Sequence, residues 1–345
     1  MYKLCICIPT LNRAGYIGET LDSIVPELGD DVEVVIADGG SRDDTEAVVA
    51  RYRERYPAIR YFRRSDDSVA PSNAGFDRDC SWAVELAQAT YCWLMTDDDV
   101  LLPGAVRQVV DHLDEGHDLI VTSAEIRDEK LQNILQVARP ELSADRVFQP
   151  GQWEQFFSLA IMHLTFVGAV VIRRSIWMSR HPEAYFGSGF VHVGVAFSAR
   201  MENSVLVIAR PLVSIRTGNG QWSARAFKIF MFDWPQLIWS FPDVSDAAKG
   251  TVSPREPWRS WRVLFLQRAY GRYSADEYKI YLRDRLPFPL SRMVARCIAS
   301  TPKFLLYVPA RIYGHFRHRD PRFFVRTLNE GMRRRESSSS PSKEN

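Results

Sequence analysis

Residues 91–104 read YCWLMTDDDVLLPG. The run from Tyr91 to Met95 carries no charge and has the length and aromatic content of a strand buried on both faces; it stops at Thr96 and three consecutive aspartates. Asp97, Asp98 and Asp99 therefore fall at the carboxyl end of a strand. Three ionised carboxylates this close repel one another unless a cation or well-placed donors compensate them. Two roles fit the triplet alone: a divalent cation held by oxygen ligands, or an acidic cap on the helix that the sequence predicts from Pro103-Gly104 onward.

Upstream, the chain alternates between two periodicities. Leu4–Ile8 is a short apolar strand that ends in Pro9-Thr10-Leu11-Asn12-Arg13, and Tyr16–Val25 carries Ile17, Leu21 and Ile24 at helical spacing. Val32–Ala37 is a second buried strand, closed by Asp38-Gly39-Gly40-Ser41, and a helix is expected over 46–56. A third strand over 59–62, a polar loop over 63–79 and a helix over 82–89 lead into the opening stretch. This order specifies an α/β fold with a mostly parallel sheet flanked by helices. Ligands bind such sheets at the carboxyl ends of the strands, where the polar clusters fall: Thr10, Asn12 and Arg13, then Asp38, then Asp97–Asp99, with Arg78 and Asp79 close by. Neither GxGxxG nor GxxxxGK[ST] follows the first strand, so a bound nucleotide would need a metal to help hold its phosphates.

Length and composition set the frame. The chain has 345 residues, 46% of them hydrophobic, which suffices for one large α/β domain with an appended segment. Its net charge of +2 conceals an asymmetry: residues 253–345 hold 20 Lys and Arg against 8 Asp and Glu, leaving 24 against 34 for the rest. A basic tail on an acidic body suggests an anionic partner for the tail. The five cysteines form no CxxC pair and no metal-binding spacing with histidine, as expected of small core residues in a reducing compartment. The N-terminus lacks the features of a signal peptide, and no stretch approaches the roughly 18 apolar residues of a spanning helix. A cytoplasmic protein is expected.

The segments CIPTLNR, VVIADGGSRDDT and WLMTDDD resemble, in order and spacing, the nucleotide-sugar half of inverting family 2 glycosyltransferases of the GT-A fold. More narrowly, GFDRDCSWAVELAQATYCWLMTDDD is similar to abequosyltransferase-like enzymes that decorate bacterial O-antigen repeats. The resemblance is strong over residues 3–110 and weaker over 110–225. It implies that Pro9, Thr10, Asn12 and Arg13 line the nucleotide pocket and that Asp38 contacts the base or ribose. Asp97 and Asp99 would form a D-x-D pair holding Mn²⁺ or Mg²⁺ against the diphosphate, with Asp98 beside them and Asp99 the more direct ligand. The cation would stabilise the charge that develops as a nucleoside diphosphate leaves. Arg78 and Asp79 would sit near the pyrophosphate or the sugar, although an ion pair with a neighbouring aspartate fits Arg78 equally.

The acceptor half is less explicit. Residues 111–150 predict a helix, a strand over 119–123 and a hairpin-like excursion to Pro150, followed by a helix and a strand over 166–172. Inverting transfer needs a base for the acceptor hydroxyl. The family supplies it from an Asp, often within a Glu-Asp pair, and this chain has no such pair at the corresponding place. It has His192 in GSGFVHVGVAFSAR, 93 residues beyond Asp99, and an ordinary imidazole with a pKa of about 6.5 is a competent base. Packing or ligand roles for His192 stay open, with Glu183 and Glu202 as alternative carboxylates. His163, alone in an apolar stretch, fits the core better than a site. After a strand over 205–215, Arg216, Asn219 and Trp222 are candidates for acceptor or diphosphate contact, from a guanidinium fork and an aromatic face on a glycine-containing loop; an ordinary turn is the alternative. The Gln-x-x-Arg-Trp motif of processive synthases is absent, which favours transfer of one sugar.

The catalytic domain is expected over 1–225, with a nucleotide-sugar half to about 110, then a helical basic region over 226–335 and a disordered end over 336–345. Residues 242–257 read as a linker or loop. Residues 291–335 combine 11 Lys and Arg with two acidic residues and many aliphatic and aromatic ones. That pattern suits an in-plane anchor on an anionic membrane surface, peripheral on the cytoplasmic face, where a lipid-linked glycan acceptor would lie. A sugar-1-phosphate nucleotidyltransferase would need a glycine-rich basic loop after the first strand, which PTLNRAGY does not supply. A nucleic-acid-binding protein would leave Asp38 and the aspartate triplet without a role, so no nucleic-acid partner is expected; a homo-oligomer stays open.

Overall fold

A computed structural model describes residues 2–65, 75–218, 225–317 and 321–333. Contacts divide the chain into two units: residues 1–217 with 237–252, and residues 218–236 with 253–345.

The first unit is built on one sheet. β1 (Leu4–Thr10), β2 (Val32–Asp38), β3 (Ile59–Arg63) and β4 (Tyr91–Leu94) run parallel in the order β3-β2-β1-β4. All seven residues of β1 and of β2 are buried, as their near-continuous apolar runs require of central strands covered on both faces. Glu33 interrupts β2 and is tolerated because its carboxylate is fully used. It accepts from Arg60 Nη1 at 2.9 Å and from the backbone N–H groups of Gln88 and Ala89. β5 (Val100–Leu101), β6 (Leu119–Arg127), β7 (Ile134–Arg139), β8 (Arg146–Phe148), β9 (Val170–Arg173) and β10 (Val205–Arg216) extend the sheet. Its path continues β4-β9-β6-β10-β5, with β9 antiparallel to both neighbours and β10 parallel to β6.

The intervening helices are α1 (Ile17–Ile24), α2 (Thr45–Arg53), α3 (Phe76–Leu86), α4 (Ala105–Leu113), α5 (Trp153–Ala160), α6 (Arg174–Ser179) and α7 (Val191–Phe197). Two expectations are corrected. α3 starts at Phe76, six residues before its expected Trp82, so Asp77, Arg78 and Asp79 occupy a helical first turn and not a loop. The hairpin-like excursion after the strand over 119–123 takes the form of β6 paired antiparallel with β7, while β8 pairs with β10. The stretch read as a linker or loop over 242–257 contains a helix, Asp246–Val252, and Phe241 just ahead of it is buried against Phe197 and Phe157.

The second unit is helical. Phe227, Met231, Trp258, Tyr273 and Leu282 form one core, with Phe227 stacked on Tyr273 at 4.9 Å, and Ala269, Ala310, Phe324 and Leu328 form another. Its last described elements are helices Pro289–Ser300, Lys303–Arg317 and Arg322–Arg333. Among the described residues no helix is long and apolar enough to cross a membrane.

Candidate active site

Register alone gathers the polar strand ends. Thr10 pairs with Asp38 and Asp38 with Arg63, so three adjacent strands end in line, and Met95 N donates to Cys7 O where β4 leaves the sheet beside β1. The loops beyond are laced together. Asn12 N donates to Ser41 Oγ, Arg42 N to Asn12 Oδ1 and Arg13 N to Thr45 Oγ1, all at 2.8–2.9 Å. Asn12 sits in the left-handed region (φ 56°), which asparagine tolerates better than most residues.

Asp38 is completely buried, with both oxygens engaged. Oδ1 accepts from Gly40 N and Ser41 N, and Oδ2 accepts from the Tyr61 hydroxyl at 2.5 Å. Burial and this bond push the Tyr61 pKa strongly upward, so the phenol stays a donor. Asp79 faces the same strand end and is held by Arg64, whose Nε donates to Oδ1 at 2.9 Å while its guanidinium stacks 4.2 Å over Trp82. Burial raises the Asp79 pKa, Arg64 opposes the shift and the charge of Asp38 adds to it. Gly39 permits this approach: a Cβ there would lie 2.6 Å from Asp79 Oδ2. Gly39→Ala is expected to displace Asp79 from the strand end and cost about 1–3 kcal/mol of stability, as overpacking does. Thermal melting checks it, and an unchanged midpoint would show that the carboxylate is free to move.

The acidic turn is held by two arginines. Arg13 reaches Asp97 through Nε and Asp98 through Nη2, each at 3.4 Å. Arg216, the last residue of β10, donates its backbone N–H to Asp99 Oδ1 at 2.6 Å and its Nε to Asp98 O at 2.8 Å. Its remaining amino groups donate to Glu129 O and to Glu19 Oε2. Both guanidiniums lie 5.4 Å from the centre of the Tyr16 ring. Asp99 Oδ2 accepts from Thr96 Oγ1, and its carbonyl accepts from Thr20 Oγ1 at 2.7 Å. Burial, then the charge of Asp98, raises the pKa of Asp97 to about 7 and that of Asp99 to about 8; Arg13 and Thr10 oppose the shift at Asp97, Thr96 and the Arg216 N–H at Asp99. The two arginines thus leave the turn undercompensated.

The other expected residues divide. Arg78 is exposed and stacks 4.8 Å over Phe186, where an ion pair was the alternative expectation. Arg216 divides its donors between the acidic turn, Glu129 and Glu19, so it braces the turn against its surroundings. Asn219 and Trp222 lie outside the described residues. His192 is 1% exposed at the start of α7, and its Nε2 is 2.8 Å from Leu164 O. Burial lowers its pKa to about 4, which corrects the expectation of an ordinary, accessible imidazole. His163 is likewise enclosed, with Nε2 2.7 Å from Thr122 O. Arg64, Tyr16, Glu19 and Asp77 escaped the sequence analysis. Asp77 accepts from Gly189 N and Val191 N and so fixes the loop that leads into α7. The acidic first turn after Gly75 is the signal that would have revealed the start of α3.

The family 2 glycosyl transferase profile matches residues 5–180, covering β1 through β9, and the chain belongs to that family. It is similar to the abequosyltransferase RfbV of Salmonella typhimurium, 25% identical over 237 residues that span 64% of this chain and 69% of that protein. It is also similar to the GalNAc(5)-diNAcBac-PP-undecaprenol beta-1,3-glucosyltransferase of Campylobacter jejuni, 29% identical over 120 residues, 34% of this chain and 36% of that one. Among solved structures, S. aureus TarS 1–349 in complex with UDP-GlcNAc shares the fold, with a TM-score of 0.54 at 15% identity over 96% of this chain and 91% of that chain.

Proposed function

We propose that this family 2 glycosyltransferase moves a single sugar from a nucleotide-sugar donor to a hydroxyl of a glycan acceptor, with inversion, the acceptor being a lipid-linked O-antigen or other surface-polysaccharide intermediate. The observation that carries it is the undercompensated acidic turn at the end of β4, beside the strand ends that present Thr10, Asp38 and Arg13. The similarity to RfbV supports transfer of a sugar, and the similarity to an enzyme named for an undecaprenyl-diphosphate glycan supports the choice of acceptor.

The residues present fit a divalent cation of a particular kind. Among the described residues no three His, Cys, Asp or Glu side chains converge on one point, so the protein would offer Asp97 and Asp99 and the remaining ligands would come from the donor diphosphate and water. Mg²⁺ is commonly bound by one or two carboxylates plus substrate phosphates. When bound, such a cation would supply Lewis-acid stabilisation to the departing diphosphate. Arg13, which faces Asp97 and Asp98 at 3.4 Å, would turn its guanidinium to a phosphate once those carboxylates have another counterion. The loops carrying Asn12, Arg13 and Gly40 would hold the nucleoside beside Asp38, and Asp79 and Arg78 would face the sugar. His192 stays the proposed base, with a changed character. Burial lowers its pKa to about 4 and its Nε2 lies 2.8 Å from Leu164 O, so Nδ1 would be the nitrogen that takes the acceptor proton.

The deciding experiment is a panel of nucleotide sugars assayed for transfer and donor hydrolysis with Mg²⁺, with Mn²⁺ and with chelator. One donor is expected to turn over in a cation-dependent way, with a transfer rate that shows no limb near pH 6.5 and is lost in His192→Ala while donor binding persists. Cation-independent turnover would remove the metal from the proposal. Unchanged transfer by His192→Ala would remove the base, and no turnover of any donor would remove the activity.

A further inference from the structure

Two helices of the second unit carry apolar residues on the side turned away from its core. In Lys303–Arg317, Leu306, Tyr307 and Ala310 pack toward Phe324 and Leu328. Phe304, Val308, Ile312 and Phe316, with Leu305 beside them, recur at every fourth position on the opposite side and are 53–86% exposed. Residues four apart share a helix face, so this is one continuous stripe. Helix Pro289–Ser300 repeats the arrangement. Ala295 and Ala299 are buried, whereas Leu290 and Met293, and Phe288 just ahead of the helix, are more than half exposed. A helix apolar on both sides needs two apolar surroundings, and the protein core supplies one of them.

We propose that these helices dock on a membrane, each lying in the plane of an anionic bilayer with its outward stripe inserted at the level of the headgroups. Charge selects this occupant over a second copy of the chain or another apolar protein surface. Exposed Arg296 and Arg311 lie on the same two helices, and residues 291–335 carry 11 Lys and Arg against two acidic residues. A second copy would bring the same positive charge against itself, whereas anionic headgroups neutralise it. Apolar side chains bordered by arginine on a helix too short to span are what an interfacial helix requires. The inference rests on the lipid-linked acceptor for its purpose, but its deciding readout is vesicle binding, so either can fail alone.

The test is flotation of the full chain with vesicles of phosphatidylcholine alone and of phosphatidylcholine mixed with phosphatidylglycerol. The protein is expected to float with the mixed vesicles and not with the neutral ones. Leu305→Glu combined with Phe316→Glu is expected to lower the bound fraction by about tenfold or more. Both positions are exposed, so the thermal midpoint should not move, and turnover of a water-soluble acceptor should match the parent. Equal flotation of the charged variant would overturn the assignment. So would failure of the parent to float, whether it then sediments as a dimer that the variant dissolves or binds duplex DNA instead.

Discussion

Asp99→Asn is expected to keep the fold and lower sugar transfer by about 100-fold or more, the loss that follows when a metal-binding group is removed. The substitution is clean for a geometric reason. The carboxylate of Asp99 accepts from the Arg216 N–H through one oxygen and from the Thr96 hydroxyl through the other. An asparagine keeps its oxygen on the N–H and presents its amide NH₂ to Thr96 Oγ1, which accepts as readily as it donates. Shape and hydrogen bonding survive and the charge goes. Asp97→Asn is less discriminating because it also weakens the pairing with Arg13. Steady-state kinetics with the donor identified by the panel, alongside thermal melting, separate the outcomes: a folded Asp99→Asn protein with parental turnover would show that this carboxylate does not serve the departing diphosphate.

Removing divalent cations should make the protein less stable as the pH rises. Asp97 and Asp99 bind protons more tightly in the folded chain, near 7 and 8, than carboxylates do when unfolded. Raised pKa values contribute stability that is complete below the ordinary carboxylate range and disappears as pH climbs through the folded values. A cation bound at the turn would replace those protons, and proton competition makes its binding tighter on the alkaline side. The midpoint of chelator-treated protein is therefore expected to fall by several degrees across that window, and added Mn²⁺ should raise it more above pH 8 than below pH 7. His192 acts in the other direction: its pKa is lowered to about 4, so its contribution is present above the ordinary imidazole value and fades in acid. An equal effect of Mn²⁺ at both ends of the window would show that the cation does not act through these two carboxylates.

Much of the parallel half was legible because its physics is local. The runs in β1, β2 and β4 are apolar enough to be central strands, and each ends abruptly in polar residues, so the position of Thr10, Asp38 and Asp97–Asp99 at strand ends follows from the pattern itself. What escaped depends on distant partners. β9 reads as a strand, but nothing in its four residues says that it runs against both neighbours. The early start of α3 was masked by a polar stretch in which the acidic first turn looked like loop. The enclosure of His192 is a tertiary fact, although its setting in FVHVGVAF hinted at it. The bracing contacts of Arg216 are not legible in its own segment, because its partners lie 87 to 197 positions away.

Those distances bear on how freely this domain can be recombined. One side chain fastens α1 through Glu19, the acidic turn after β4 and the segment beyond β6 through Glu129, from a position at the end of β10. The half proposed to hold the donor is therefore finished by a strut from the half proposed to choose the acceptor. A chimera joining residues 1–110 of this chain to the second half of a relative would inherit a triplet of aspartates without its brace unless the relative carried an arginine at the same register. The second half of the domain can drift only as far as that strut allows, which couples its evolution to the integrity of the acidic turn.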